Sequence, residues 1–224
     1  TKGLKEQDKG DETTLGVTPK LMEYWKRYSP QLFVTASHAT QFNLEMPFGK
    51  GLIVSGNNRF YALDKKQFRE FTTFLRGVLF NGKEDDLLSF LNRIKAPVIE
   101  TRPVPAVWVA AGNCLIGDAK KTKNSMAVTA LSRYGFNQLV GYTVPSWYGK
   151  GGWGTLGLLF SNHDASSLAE AWYLNNQFIL DETMTRFPKL MDVHFNSPDI
   201  NGIKNDPDFA RGMNSAGYGM GKDQ

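Results

Sequence analysis

Short apolar runs alternate with amphipathic segments through the middle of the chain, and this alternation predicts an α/β fold. The runs are rich in β-branched and aromatic residues and are bounded by proline or glycine, which is typical of strands buried in a parallel sheet. Strands are predicted at residues 32–38, 51–55, 59–63, 106–114 and 136–144. Asn57 and Asn58 separate the second strand from the third, as expected for a tight turn.

Apolar residues spaced three and four positions apart predict helices between these strands. The helices are expected at residues 19–28, 65–80, 85–94, 124–134 and 166–186. Asn124 is the predicted N-cap of the fourth helix, and Gly135 ends it. The longest helix is expected to bury a single stripe formed by Leu168, Ala171, Trp172, Asn175, Phe178 and Ile179.

The order of these elements predicts a three-layer α/β/α arrangement with a mostly parallel sheet. Strand, helix, strand and helix follow one another through residues 106–186, which indicates βαβ units with helices on the faces of the sheet. Residues 145–154, dense in glycine and aromatic side chains, are predicted to form a loop.

The flanking segments lack this periodicity. Residues 1–18 are polar and are expected to be a flexible lead-in, residues 19–188 to be one α/β domain, and residues 189–224 to be an irregular C-terminal segment. The first residue is Thr1 rather than methionine, and no signal peptide precedes it. We therefore expect the chain to be a piece of a longer protein.

Composition narrows the possible partners. The net charge of +4 is modest and the lysines are dispersed, so nucleic-acid binding is not expected. No stretch approaches the roughly 18 apolar residues that span a bilayer. A single cysteine excludes an internal disulfide and leaves the compartment open.

Two apolar runs each end beside a side chain that can take part in nucleophilic catalysis. Residues 32–38 end at His38, and residues 106–114 end at Cys114, the only cysteine. Ligands of open α/β sheets gather beyond the carboxyl ends of the strands. If the two strands are neighbours, an imidazole with an ordinary pKa of about 6.5 stands beside a thiol that it can deprotonate. The spacing alone does not decide whether they are neighbours.

Simpler interpretations compete with this one. A lone cysteine is usually a packing residue, and a histidine at a strand end often only satisfies a carbonyl. Asp118 and Glu170 are candidates for a basic-residue pocket or for a carboxylate that orients the imidazole, but single acidic residues are more often caps or solvated charges. His163 and His194 lack metal-ligand spacing, so no metal is expected. The glycine-rich residues 149–154 lack the Lys-Ser/Thr pair of a phosphate loop.

The blocks around these residues resemble the caspase-fold (clan CD) cysteine peptidases, and most of all their gingipain-like branch. The similarity covers residues 32–182, and Ala-Ala-Gly-Asn-Cys-Leu-Ile-Gly-Asp at residues 110–118 is similar to the cysteine block of that group. The segment after it also resembles the group. It contains a helix at residues 125–134, a strand at 138–142, a Ser-Trp pair at 146–147 and Leu-Ala-Glu-Ala at 168–171.

The resemblance implies a caspase-haemoglobinase-like fold and a cysteine-type endopeptidase that needs no cofactor. His38 would be the general base and acid, Cys114 the nucleophile, and peptides or proteins the substrates. The backbone N–H groups of Ala39 and Cys114 would form the oxyanion hole. The implied substrate-binding residues are Ser146, Trp147 and Tyr148. The resemblance also favours a bacterial protein that is secreted or lies in the periplasm or cell envelope.

Two departures from the family pattern favour a second hypothesis, an inactive binding or interaction module of the bacterial cell envelope. The family usually has glycine after the histidine, whereas this chain has Ala39. The interval between His38 and Cys114 is longer than expected, so residues 48–95 would be an insertion. A third hypothesis is a hydrolase or acyl-transfer enzyme of another α/β fold that uses the same thiol with a later histidine.

Overall fold

The computed structural model describes residues 17–46, 51–81, 85–101, 104–119, 124–143, 150–161, 167–186 and 188. The elements in chain order are α1 (Val17–Tyr28), β1 (Leu32–Thr35), β2 (Ala39–Thr40), β3 (Asn43–Glu45), β4 (Gly51–Gly56), β5 (Arg59–Asp64), α2 (Lys65–Asn81), α3 (Asp85–Arg93), β6 (Ala106–Ala110), α4 (Met126–Arg133), β7 (Phe136–Val140), α5 (Lys150–Ser161) and α6 (Leu168–Arg186). The predicted lead-in up to residue 16 and the predicted segment 189–224 lie outside the described residues.

The predicted α/β class is confirmed. One sheet is parallel and has the strand order β1-β6-β7, and a second, antiparallel sheet has the order β2-β3-β4-β5. The chain divides into two compact units, of which the first holds α1, β3 to β5, α2, α3 and α4. The second unit holds β1, β2, β6, nearly all of β7, α5 and α6. In the part of the chain that the structure describes, no helix is long and apolar enough to cross a membrane.

The first unit is organised by the hairpin of β4 and β5. Its turn is the predicted Asn57-Asn58 pair, and both residues have positive φ, 47° and 54°. Asparagine tolerates this left-handed conformation well, and two such residues form the hairpin turn whose twist matches that of the strands. The strands pair from Gly51 opposite Asp64 to Gly56 opposite Arg59.

An apolar cluster packs α2 and α3 against this hairpin. Phe71 of α2 is fully buried, as is Leu91 of α3. The buried members of the cluster are Leu52, Val54, Tyr61, Leu63, Phe71, Leu87, Phe90 and Leu91.

The N-cap of α4 differs from the prediction. Ser125 rather than Asn124 is the cap, and its Oγ accepts a hydrogen bond of 3.2 Å from the backbone N–H of Val128. The Asn124 side chain instead accepts a bond of 2.7 Å from the backbone N–H of Asn57 in the hairpin turn. A contact 67 residues away in sequence therefore decides between two good capping residues.

Tyr134, at the end of α4, is fully buried and ties two backbone segments together. Its hydroxyl donates to the Ile99 carbonyl at 2.8 Å and accepts from the Phe60 N–H at 2.9 Å. Tyr134→Phe leaves both backbone groups without this partner, so we expect the free energy of unfolding to fall by about 1–3 kcal/mol. Urea unfolding at pH 8 measures the loss.

The difference in stability between wild type and Tyr134→Phe is expected to depend on pH. Burial raises the pKa of Tyr134 above its ordinary value of 10.0. In alkali the unfolded chain therefore loses this proton first, and the stabilisation present below pH 10 is lost as the pH rises toward the folded pKa. At pH 10.5 the advantage of wild type over Tyr134→Phe should shrink by up to about 0.8 kcal/mol. A constant difference across this range would contradict the assignment.

The second unit is built on the parallel sheet. β1 pairs with β6 in parallel, with Leu32 opposite Val107 and Thr35 opposite Ala110. One face of the sheet is covered by α5 and α6. An apolar cluster joins these helices to the sheet. Its buried residues are Val109, Ala111 and Leu168, and its partly buried members are Leu32, Val107, Val140, Leu156 and Leu159.

The predicted loop at residues 145–154 is wrong from Lys150 onward, because α5 begins there. Glycine is a poor helix former, so local propensity argued against this helix. Close contacts with neighbouring segments explain why α5 contains so many glycines. A Cβ on Gly152 would overlap the backbone of Ala111, and a Cβ on Gly154 would overlap the Asn175 amide. The glycines allow the helix to approach the sheet and α6 closely.

The predicted buried stripe of α6 is correct in part. Leu168, Ala171 and Asn175 are buried. Trp172 and Phe178 are 48% and 63% exposed, so their assignment to the stripe is wrong. Apolar residues lie on every side of this helix, and their pattern alone does not select one face.

Candidate active site at the carboxyl ends of β1 and β6

The parallel pairing of β1 and β6 brings the two candidate loops to the same edge of one sheet. β1 ends at Thr35 and β6 at Ala110, and these two residues are register partners. His38 follows three residues after the end of β1, and Cys114 follows four residues after the end of β6. The neighbour relation that the sequence left open is therefore present in the fold.

The residue before Cys114 is hydrogen-bonded to the residue before His38. Asn113 is fully buried, and its Nδ2 donates to the Ser37 carbonyl at 2.9 Å and to Ser37 Oγ at 3.1 Å. The backbone N–H of Gly112 also donates to the Thr35 carbonyl at 3.3 Å. The contact between the two chain segments thus continues past the ends of the strands.

Thr35 holds the other end of the Asn113 amide, and Trp108 in turn holds Thr35. Thr35 Oγ1 donates to Asn113 Oδ1 at 2.5 Å. Thr35 Oγ1 also accepts from Trp108 Nε1 at 2.8 Å. Trp108 is fully buried, and its ring centroid lies 5.4 Å from that of Phe33 on β1. We call the chain of hydrogen bonds through Trp108, Thr35, Asn113 and Ser37 the strand-end network. Sequence reasoning missed it, and its one signal was a polar residue inside an apolar block.

A strained turn begins directly after the sulfur-bearing residue. Leu115 has a φ of 57°, in the left-handed region that costs a residue with a side chain about 1 kcal/mol or more. The Leu115 carbonyl accepts from the Asp118 N–H at 3.0 Å, which closes the turn. Cys114 is half-buried and His38 is exposed, so solvent reaches both loops.

The turn is seated against the segment after β7. The Gly117 N–H donates to the Tyr142 carbonyl at 2.9 Å, and a Cβ on Gly117 would overlap the Gly141 carbonyl. On this side of the turn, the space is therefore filled by the backbone of the segment after β7.

The other candidate residues fall into three groups. Ser146, Trp147, Tyr148, His163 and His194 lie outside the described residues. Ala39 starts β2, and Asp118 is buried within the turn. Glu170 is a cap of α6, since its carboxylate accepts from the Ser167 N–H at 3.1 Å and its own N–H donates to Ser167 Oγ at 3.2 Å. Over the described ranges, no three acidic, histidine or cysteine side chains lie together as metal ligands would.

Comparison with known proteins adds no information about this site. No family model, curated protein or solved structure matches the chain. The two strand-end loops and the hydrogen bonds between them are therefore the basis for assigning a function.

Proposed function

We propose that the chain is a cysteine-type endopeptidase in which His38 and Cys114 act as a dyad. One observation carries the proposal. β1 and β6 are parallel neighbours whose carboxyl ends are held together by the Asn113–Ser37 hydrogen bonds, so the imidazole-bearing and thiol-bearing loops begin at one edge of the sheet. A three-layer, caspase-haemoglobinase-like architecture is part of the same proposal.

The chemistry needs only these two side chains and nearby backbone. The His38 imidazole takes the proton of the Cys114 thiol, and the sulfur attacks the carbonyl carbon of a peptide bond. The backbone N–H groups of Ala39 and Cys114 hold the negative charge that develops on the carbonyl oxygen. The imidazolium then protonates the leaving amine, and a thioester remains on the sulfur.

Water completes the cycle. The imidazole takes a proton from a water molecule, the resulting hydroxide attacks the thioester, and the carboxylic acid product leaves as the sulfur regains its proton. Ser146, Trp147 and Tyr148 are proposed to line the pocket for the substrate residue before the cleaved bond.

The dyad can be tested without knowing the substrate, because Cys114 is the only cysteine and iodoacetamide alkylation reports on it alone. A simple thiol reacts as its thiolate, so its rate constant falls about 200-fold from pH 9 to pH 6. We expect the wild-type protein to fall by less than about tenfold, because His38 holds the proton at the lower pH. His38→Ala should restore the full fall.

The ratio of the two rate constants cancels the effect of partial burial, since access to the sulfur is the same at both pH values. Near-UV circular dichroism at pH 6 and pH 9 checks that the fold is unchanged. A wild-type profile as steep as that of His38→Ala would exclude the dyad and favour the inactive interaction module.

A further inference from the structure

We infer that Asn113 is the positioning residue that sets the separation between the two strand-end loops, and that without its amide His38 no longer assists Cys114. The inference rests on the proposed dyad and adds a residue that neither accepts the proton nor touches the substrate. The observations that carry it are the burial of Asn113 and its three hydrogen bonds to the β1 segment.

Few torsions separate the amide from either candidate residue. The Ser37 carbonyl that accepts from Asn113 Nδ2 belongs to the same planar peptide group as the N–H of His38. Asn113 is joined directly to the peptide group that carries the N–H of Cys114, and its side chain has only two χ angles. The path from one loop to the other is therefore short and stiff.

The amide can take only one orientation. The Ser37 carbonyl only accepts, so it must face the NH2 group of Asn113. Thr35 Oγ1 already accepts from Trp108 Nε1, so its single proton is directed to Asn113 Oδ1. The strand-end network thus fixes the rotation of the amide from both ends, and a buried network with every member bonded is rigid.

A backbone hydrogen bond also ties the two loops beyond the strand ends. The Gly112 N–H bond to the Thr35 carbonyl is long, at 3.3 Å, and it precedes the positions that carry the chemistry. Glycine at position 112 also gives the backbone freedom that the next residue must remove. Asn113 supplies this restraint immediately before Cys114.

The test uses the pH dependence of alkylation at Cys114 in Asn113→Ala. We expect the fall between pH 9 and pH 6 to grow from under about tenfold to at least about fiftyfold, close to the profile of His38→Ala. The double variant Asn113→Ala/His38→Ala should then fall no more steeply than His38→Ala alone, because the imidazole has already lost its effect.

Asn175→Ala is the matched control. Asn175 is also a buried asparagine of the second unit, and its Nδ2 donates to the Gly151 carbonyl at 2.7 Å. Asn175→Ala removes a similar hydrogen bond outside the strand-end network, so the pH dependence of Cys114 alkylation should stay as in wild type. If Asn113→Ala fails to fold, Thr35→Val takes its place, since it replaces with a methyl group the hydroxyl that bonds to Asn113 Oδ1 and Trp108 Nε1.

Each outcome decides the inference. A steep profile in Asn113→Ala or Thr35→Val, with a shallow one in Asn175→Ala, supports it. A wild-type profile in the folded Asn113→Ala protein, or in Thr35→Val where that variant takes its place, overturns it, and so does an equally steep profile in Asn175→Ala. If wild type itself is as steep as His38→Ala, the proposed dyad fails, and the inference about Asn113 fails with it.

Discussion

Replacing Cys114 by alanine is expected to abolish peptide hydrolysis, with a fall in kcat/KM of at least about 10⁴-fold. The sulfur is the atom that forms the bond to the substrate, and the chain contains no second cysteine to take over the attack. The measurement is release of a fluorophore from a panel of short peptide amides that differ in the residue before the scissile bond. Wild type and Cys114→Ala are purified side by side.

The controls separate lost chemistry from lost structure. Cys114 is half-buried, so its truncation to alanine should change the free energy of unfolding by about 1 kcal/mol, and urea unfolding verifies that the variant is folded. Asn175→Ala, which lies off the strand-end network, should retain hydrolysis. Equal cleavage by wild type and Cys114→Ala would contradict the proposed nucleophile.

Local signals predicted most of the elements but only part of their arrangement. The hairpin of β4 and β5 follows from two apolar runs around Asn57-Asn58, because all the information lies within 14 residues. The pairing of β1 with β6 joins residues more than 70 positions apart, and no spacing rule specifies it. Tertiary packing determines that pairing. It also determines that Ser125, rather than the predicted Asn124, is the N-cap of α4.

The candidate site shows the same division. His38 and Cys114 stand out in the sequence because each follows an apolar run, and that placement needs only the pattern of one strand. Asn113 does not stand out, because its function depends on Thr35 and Ser37, 78 and 76 positions away. An amide inside an apolar block signals only that a buried partner exists.

Gly152→Ala is expected to lower the free energy of unfolding by about 3 kcal/mol, which is a change of about 150-fold in the folding equilibrium. The added Cβ would overlap the carbonyl oxygen, the carbonyl carbon and the Cα of Ala111. These are backbone atoms at the end of β6, and no rotamer change moves them away. The substitution therefore forces α5 off the sheet, although alanine is the better helix former.

Gly157→Ala provides the matched control within the same helix. No atom lies within 4 Å of the position that its Cβ would take, so the gain in helix propensity should stabilise the protein by about 0.5–1 kcal/mol. Urea unfolding of the two variants and wild type, monitored by tryptophan fluorescence, measures both changes. If Gly152→Ala were stabilising like Gly157→Ala, α5 would not be seated against Ala111. The backbone beside the Cys114 loop would then lack the support that this packing gives it.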